Sequence, residues 1–415
     1  MLVKSFFDQS LSRSDISPGV MFTTCMGIVF TVLSQIQPAL QLAYGLIWIS
    51  LVIYCAVSKL STIKFVGVFS RTIGLFIFFT FFCLLSFLFT GSFGYVSGYL
   101  TLISKAMLMY IVGNFLYYLN TDTRIWNLIA MTYVVSAGIY GLWAITTYVP
   151  SLNSWLNSQI YLFSSKNSYG QIAGVASLIL AAVAIREERP RRYLSFIASL
   201  AFIISLILAQ CRTSLIALTL ALLVLLICLR QKKLLIIAVL LAVILFCFSP
   251  VVQSFISHAL FLDKYQGADL DTFSSGRLGH WAHALLIASK NPFFGVGGYY
   301  VDCFYINTYV NVGLCGFLIV ISLWGLRVTY NVIHAWEKSP KAASWNFLCV
   351  IALVLTIFYL IESMLEGFPP FGPGASSFFF WMLSGYIDAA YAEPANMNNE
   401  TNIAYALSKT PRTKV

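Results

Sequence analysis

Charge is what this sequence has least of. Only 10% of its 415 residues are Asp, Glu, Lys or Arg, against about a quarter in a soluble globular domain. That shortage excludes a water-soluble protein of ordinary surface. The nine cysteines form no Cys-x-x-Cys pair and no metal-ligand spacing. Cys25, Cys55, Cys83, Cys228, Cys247, Cys315 and Cys349 fall inside apolar runs, where they read as small buried hydrophobes and not as a disulfide framework. Cys211 and Cys303 lie near loops. No repeat of 20–50 residues is visible, which excludes a solenoid or propeller. The first 19 residues are polar, with Asp8 and Asp15, and lack a signal-peptide core; the first long apolar run is expected to act as an uncleaved membrane signal.

What is present in abundance is hydrophobic length. Apolar residues make up 59% of the chain, and the mean hydropathy is +0.84. A helix crosses the hydrocarbon core with about 20 apolar residues. Runs of that kind occur near 20–36, 41–58, 69–90, 97–118, 125–148, 169–186, 193–209, 213–229, 234–250, 307–329, 343–363 and 374–391. The expectation is an all-α, polytopic transmembrane bundle of about 12 helices. It forms a single membrane domain over 1–391, followed by a disordered cytoplasmic tail over 392–415.

The net charge of +10 must be read by side of the membrane, because Lys and Arg gather in cytoplasmic loops. With the N-terminus inside, 19 of the 25 basic residues fall on the cytoplasmic side, Arg327 among them. That supports both termini in the cytoplasm and an even number of spans across an inner membrane, and the charge needs no nucleic acid to explain it. Lys105 sits within the fourth span. Lys166, Arg212, Lys264, Arg277 and Lys290 remain on the outer side, so each needs a reason.

Arg212 is wedged between two apolar runs, in Gln210-Cys211-Arg212-Thr213. Its planar fork suits phosphate, and the alternative is a side chain that snorkels to lipid headgroups. Arg277 lies in the one long outer loop, 251–306. After it, Trp281, Ala284, Leu285 and Ala288 recur at helical spacing, so 277–290 reads as an amphipathic surface helix stopped by Asn291-Pro292. Gly295, Gly297 and Gly298 read as a flexible turn, followed by Tyr299 and Tyr300; without a strand–helix unit the glycines are no nucleotide fingerprint. His280 and His283 are spaced for a metal, but no third ligand follows, and surface histidines are the plainer reading. Asp302 precedes the tenth span. Glu362 and Glu366 sit at the outer end of the eleventh, and either pairs with an arginine or takes a proton from a substrate.

These elements, in this order, resemble the O-antigen polymerase and O-antigen ligase superfamily of bacterial envelope glycan assembly. The resemblance rests on four stretches between about residues 160 and 370: Lys166-Asn167-Ser168-Tyr169-Gly170; Cys211-Arg212-Thr213; Ser275-Gly276-Arg277 through Trp281 with Asn291-Pro292-x-x-Gly295-x-Gly297; and Glu362-Ser363. The first five spans match only in being apolar. Ligases carry a His-Asn pair eleven residues before a Gly-x-x-Gly. Counting back from Gly313-Leu314-Cys315-Gly316 gives Asp302-Cys303, which argues for the polymerase branch.

The resemblance implies a glycosyltransferase without cofactor or metal, acting at the periplasmic face. It would move a growing glycan from undecaprenyl pyrophosphate onto a second lipid-linked repeat unit, with a chain-length regulator as partner. Arg212 and Arg277 would bind the pyrophosphate and Asp302 would act as base, with Lys166, Asn167, Trp281, Tyr299, Tyr300 and Glu362 as substrate contacts. An O-antigen ligase-like transferase and a lipid-linked oligosaccharide flippase are the alternatives; Lys105 keeps the second open.

Overall fold

The computed structural model describes residues 18–59, 67–119, 125–149, 151–158, 163, 166–236, 240, 247, 249–260, 270–274, 276–336, 343–368 and 375–392. Among them there are helices and no strands. In chain order these are α1 (Pro18–Leu33), α2 (Leu40–Lys59), α3 (Val68–Thr90), α4 (Phe93–Leu119), α5 (Ile125–Tyr148), α6 (Leu152–Leu156), α7 (Lys166–Arg186), α8 (Arg191–Leu208) and α9 (Arg212–Cys228). Then follow α10 (Pro250–Ala259), α11 (Leu270–Phe273), α12 (Arg277–Ala288), α13 (Phe304–Trp336), α14 (Ala343–Leu365) and α15 (Ala375–Ala392).

Eight of these helices are long and apolar enough to cross a membrane, and α1 and α9 are shorter apolar helices. In lipid a helix satisfies its own backbone, which is why apolar runs of this length become helices and nothing else. Most of the span expected at 234–250, and the tail beyond residue 392, lie outside the described residues.

Helix α15 runs through the middle of the bundle, buried along nearly its whole length, and packs closely on α4. Their backbones touch: a Cβ on Gly113 would collide with the Met382 carbonyl, and one on Gly385 with that of Tyr110. Without a water-driven hydrophobic force, such close approach supplies the packing energy between membrane helices. Helix α7 is sandwiched between α8 and α9. The Ser177 and Ser199 hydroxyls meet at 3.0 Å across the first contact, and Gly170 lies under Ser214 at the second.

Two sequence expectations change here. Arg327, counted with the cytoplasmic loops, lies inside α13 and is fully buried, because that helix continues to Trp336. Its Nη2 pairs with Asp388 Oδ2 of α15 at 2.7 Å and donates to Thr72 Oγ1 of α3 at 2.7 Å. The Tyr110 hydroxyl of α4 donates to the same carboxylate. Four helices thus share one buried polar knot.

The second change concerns α13 itself, which is broken at Gly313 (φ 79°, ψ −173°). The Gly295–Gly298 turn is not free. Gly295 (φ 74°) and Gly297 (φ 69°) are buried; the first lies against the Asn311 backbone and the second against Thr90 and Ser92, between α3 and α4. Val296 N donates to Val310 O at 2.7 Å, and Leu314 N to Pro292 O at 2.8 Å. The positive φ values are what glycine alone tolerates there.

A charge left alone in the interior is far more damaging than the loss of both partners. Arg327→Met should therefore destabilise the purified protein by about 3–5 kcal/mol. Arg327→Met combined with Asp388→Leu should recover most of that loss. Thermal unfolding in detergent of the single and double variants checks it; equal losses in both would remove the pair as the cause.

Candidate active site

Three helices begin on a cation at the same end of the bundle. Lys166 opens α7, Arg212 opens α9 and Arg277 opens α12. A positive side chain at a helix N-terminus is the unfavourable sign for the helix dipole, and unpaired N–H groups there favour an anion. The sharp entry into α9 comes from Gln210, a buried non-glycine residue at φ 54°. Backbone held in that region persists only where its surroundings enforce it, and such positions cluster at working sites.

The meeting point is Glu366, one residue past the end of α14. Asn167 Nδ2 donates to its Oε2 at 2.7 Å, and Thr213 Oγ1 to its Oε1 at 3.2 Å. Arg277 Nη2 lies 3.5 Å from Oε1. On the other side of the guanidinium, Arg277 Nε is 3.7 Å from Asp302 Oδ2. The cation is therefore held between two carboxylates of unequal exposure: the Glu366 side chain is 8% exposed and that of Asp302 37%. The Lys166 charge feels those of Arg212, Arg277 and Glu366, so all three cations belong to one electrostatic unit. Cys211 fixes the approach of α7 to α9 by donating its Sγ–H to Lys166 O at 2.8 Å. Arg212 Nη1 reaches Leu260 O, just past α10, at 3.5 Å.

Burial pushes the Glu366 carboxyl up to about 7; the Arg277 charge opposes the rise, and the Asp302 charge adds to it. Both Glu366 oxygens already accept hydrogen bonds. Asp302 is the more open of the two carboxylates.

Asn307 and Asn311 of α13 set the distance between these groups, and nothing in the sequence reading singled them out. Asn307 Oδ1 accepts from Val301 N at 3.2 Å, and its Nδ2 donates to Gly367 O at 3.0 Å. One amide thus ties the neighbour of Asp302 to the neighbour of Glu366. Asn311 Oδ1 accepts from Tyr299 N at 2.9 Å, while its Nδ2 donates to Tyr299 O at 2.6 Å. A buried side-chain amide that satisfies backbone groups in this way is a local fastener.

The remaining candidates take different places. Glu362 is wholly buried one turn before Glu366, with Ser214 and Gln171 as polar neighbours. Both neighbours are placed to hydrogen-bond its carboxyl, and an ionisable side chain inside a membrane helix is by default a candidate working position. Trp281 turns inward against a small cluster containing Ala284, Ala288, Val301 and Val310, while Leu285 of the same helix faces out. The Tyr299 ring lies beside His280 and His283, at 5.4 and 6.0 Å between centroids. Tyr300 is exposed and leans on Phe368 at 5.9 Å. Among the described residues no group of three or more His, Cys, Asp or Glu side chains is arranged to hold a metal.

Glu362 and Glu366 are i and i+4, on one helical face, and the sequence reading favoured Glu362. The structure makes Glu366 the residue that touches Arg277, because α14 ends between them. An ionisable group whose folded pKa lies above its unfolded value stabilises the fold only while protonated. Stability should therefore fall as pH rises from about 4.5 through about 7, by on the order of 3 kcal/mol from this group. Glu366→Gln should flatten that slope in thermal unfolding measured from pH 4.5 to 8; an unchanged slope would place the titration elsewhere.

No curated protein matches the chain. Residues 197–313, from α8 to the break in α13 and including Arg212, Arg277 and Asp302, match the family model described as O-antigen ligase.

Proposed function

We propose that this chain is a membrane glycosyltransferase of the polysaccharide polymerase kind. It moves a growing glycan from undecaprenyl pyrophosphate onto a lipid-linked repeat unit at the periplasmic side of the inner membrane. The observation that carries the reading is the meeting of three helix N-termini that open on Lys166, Arg212 and Arg277: their first-turn residues Asn167, Thr213 and Arg277 reach Glu366, and Arg277 also reaches the more open Asp302. The family match over 197–313 supports glycan transfer in general.

In the proposed reaction the acceptor hydroxyl attacks the anomeric carbon, whose bond to the pyrophosphate oxygen breaks. The pyrophosphate gains negative charge as it leaves. Arg212 and Arg277 receive that charge, with two planar forks suited to phosphate oxygens. Asp302, the exposed carboxylate, takes the proton from the acceptor hydroxyl. Glu366, with its oxygens engaged, orients Arg277. The displacement is single and inverting, and needs neither a covalent intermediate nor a metal. Tyr299, Tyr300 and Trp281 lie along the glycan side, and Asn167 and Glu362 line the α7–α14 side.

An aspartate in place of a histidine at 302 favours polymerase over ligase, although the matched family model bears the ligase description. A deletion strain separates the two. Lipid-linked single units that persist without long chains fit the polymerase; long lipid-linked chains that are never attached fit the ligase. In liposomes with lipid-linked repeat units, Arg212→Ala and Arg277→Ala should lower elongation at least about 100-fold. Arg→Lys should rescue poorly, since an ammonium lacks the planar fork. Wild-type chain lengths from both alanine variants would remove the site assignment.

A further inference from the structure

A cavity of about 290 Å³ lies at the opposite end of the bundle from the candidate active site. Helices α7 and α9 start at that site, and their far ends line the cavity with Arg186 and Leu229. Helix α14, which ends at the site, lines it with Asn346 and Phe347 from its first turns. Ala335, one residue before the end of α13, adds a fourth helix end. The length of α7 puts about 30 Å between the two places.

The polar groups of the cavity are of two kinds. Arg186 is a cation: its guanidinium carbon stands 4.5 Å from the centre of the Phe347 ring. Among the described residues no carboxylate pairs with it. The ring fixes the guanidinium without neutralising it. The other groups are acceptors. The side-chain oxygen of Asn346 is buried and, among the described residues, has no hydrogen-bond partner, which is costly unless a donor meets it. Helices α7, α9 and α13 all bring their C-terminal ends here, and a helix C-terminus carries free carbonyls and partial negative charge. The end of α9 is turned sharply by Arg230, a non-glycine residue at φ 56°, with Gln231 N donating to Leu226 O at 2.9 Å. That turn brings Gln231 to the same cavity.

The depth of the cavity is marked by Trp336, next to Ala335 and 64% exposed. Tryptophan at the end of a membrane helix sits at headgroup level. Ile227 and Ile333, just inside the ends of α9 and α13, are exposed as lipid-facing residues are, while Arg230, Lys232 and Lys233 beyond them are exposed and basic. A ligand that satisfies both kinds of group joins an anion to a hydrogen-bond-donating cation. At 290 Å³ the space is at the small end of the range for ligand sites.

We propose that this cavity binds the phosphoethanolamine headgroup of a membrane phospholipid. The phosphate meets Arg186, and the ammonium donates to the Asn346 oxygen and the helix C-termini. Basic pockets between membrane helices at headgroup level are suited to such lipids. A lipid held there braces α7, α9 and α14, the helices whose other ends meet around Glu366. The site stands independently of the transfer reading above.

Native mass spectrometry of the full-length protein, stripped of lipid in detergent and titrated with defined phospholipids, tests this. Wild type should bind one phosphatidylethanolamine about tenfold more tightly than phosphatidylcholine, whose quaternary ammonium has no N–H to donate. Arg186→Ala should weaken phosphatidylethanolamine about tenfold. Asn346→Leu should reduce it to the level of phosphatidylcholine. Ala335→Phe, which fills the cavity and touches neither polar group, should abolish the binding. Added phosphatidylethanolamine should raise the thermal unfolding midpoint of the wild type and not that of Arg186→Ala, which separates lost binding from lost folding. Equal binding of the two lipids by the wild type would overturn the proposal, as would wild-type affinity in both Arg186→Ala and Asn346→Leu. Equal competition by soluble glycerophosphoethanolamine would overturn the lipid as ligand and leave a site for the free headgroup.

Discussion

Glu366 accepts from Asn167 on α7, Thr213 on α9 and Arg277 on α12, while itself ending α14. Four helices that share no sequence neighbourhood are brought together by one carboxylate. The arrangement works because each donor sits in the first turn of its helix, where side chains and free N–H groups both point out of the helix end. It has a cost: a carboxyl this deeply buried holds its proton more tightly, and the Arg277 charge is what keeps the ionised form within reach of neutral pH. Removing any one donor would leave the others around a less well satisfied anion.

The second constraint is the fastening of the long loop to α13. Glycine at 295, 297 and 313 lets three backbone stretches approach where any side chain would collide. Asn307 and Asn311 then satisfy the backbone amides of Val301 and Tyr299. Inside a membrane bundle irregular backbone is tolerated only when buried in protein and satisfied. The break in α13 is therefore part of how Asp302 comes to lie beside Arg277, and a regular helix from Phe304 onward would not receive the glycine turn.

Polarity elsewhere in the bundle serves different ends. Arg327 and Asp388 neutralise each other and engage Thr72 and Tyr110, far along α13 from the site, so that knot reads as a helix fastener. Lys105 is held instead by the Tyr44 hydroxyl and ring, which tie α4 to α2.

The helical membrane architecture was legible from apolar run lengths, because lipid allows so few alternatives. Arg212 and Arg277 stood out in the sequence too, as basic residues on the side expected to lack them. Lys166 and Asn167 entered through the same motif order. Periodicity placed Glu362 and Glu366 on one face but did not say which lay past the helix end, and hydropathy passed over Asp388 as one charge in an apolar run. Which residues meet across helices depends on rotation, depth and the kink at Gly313. One chain's local pattern does not encode these; packing against the other helices decides them. The sequence by itself determined a multi-pass helical protein with cations where few belong. Only the tertiary structure decided that the helix starts carrying those cations meet at Glu366, through Asn167, Thr213 and Arg277, because a buried carboxylate finds its donors in space and not along the chain.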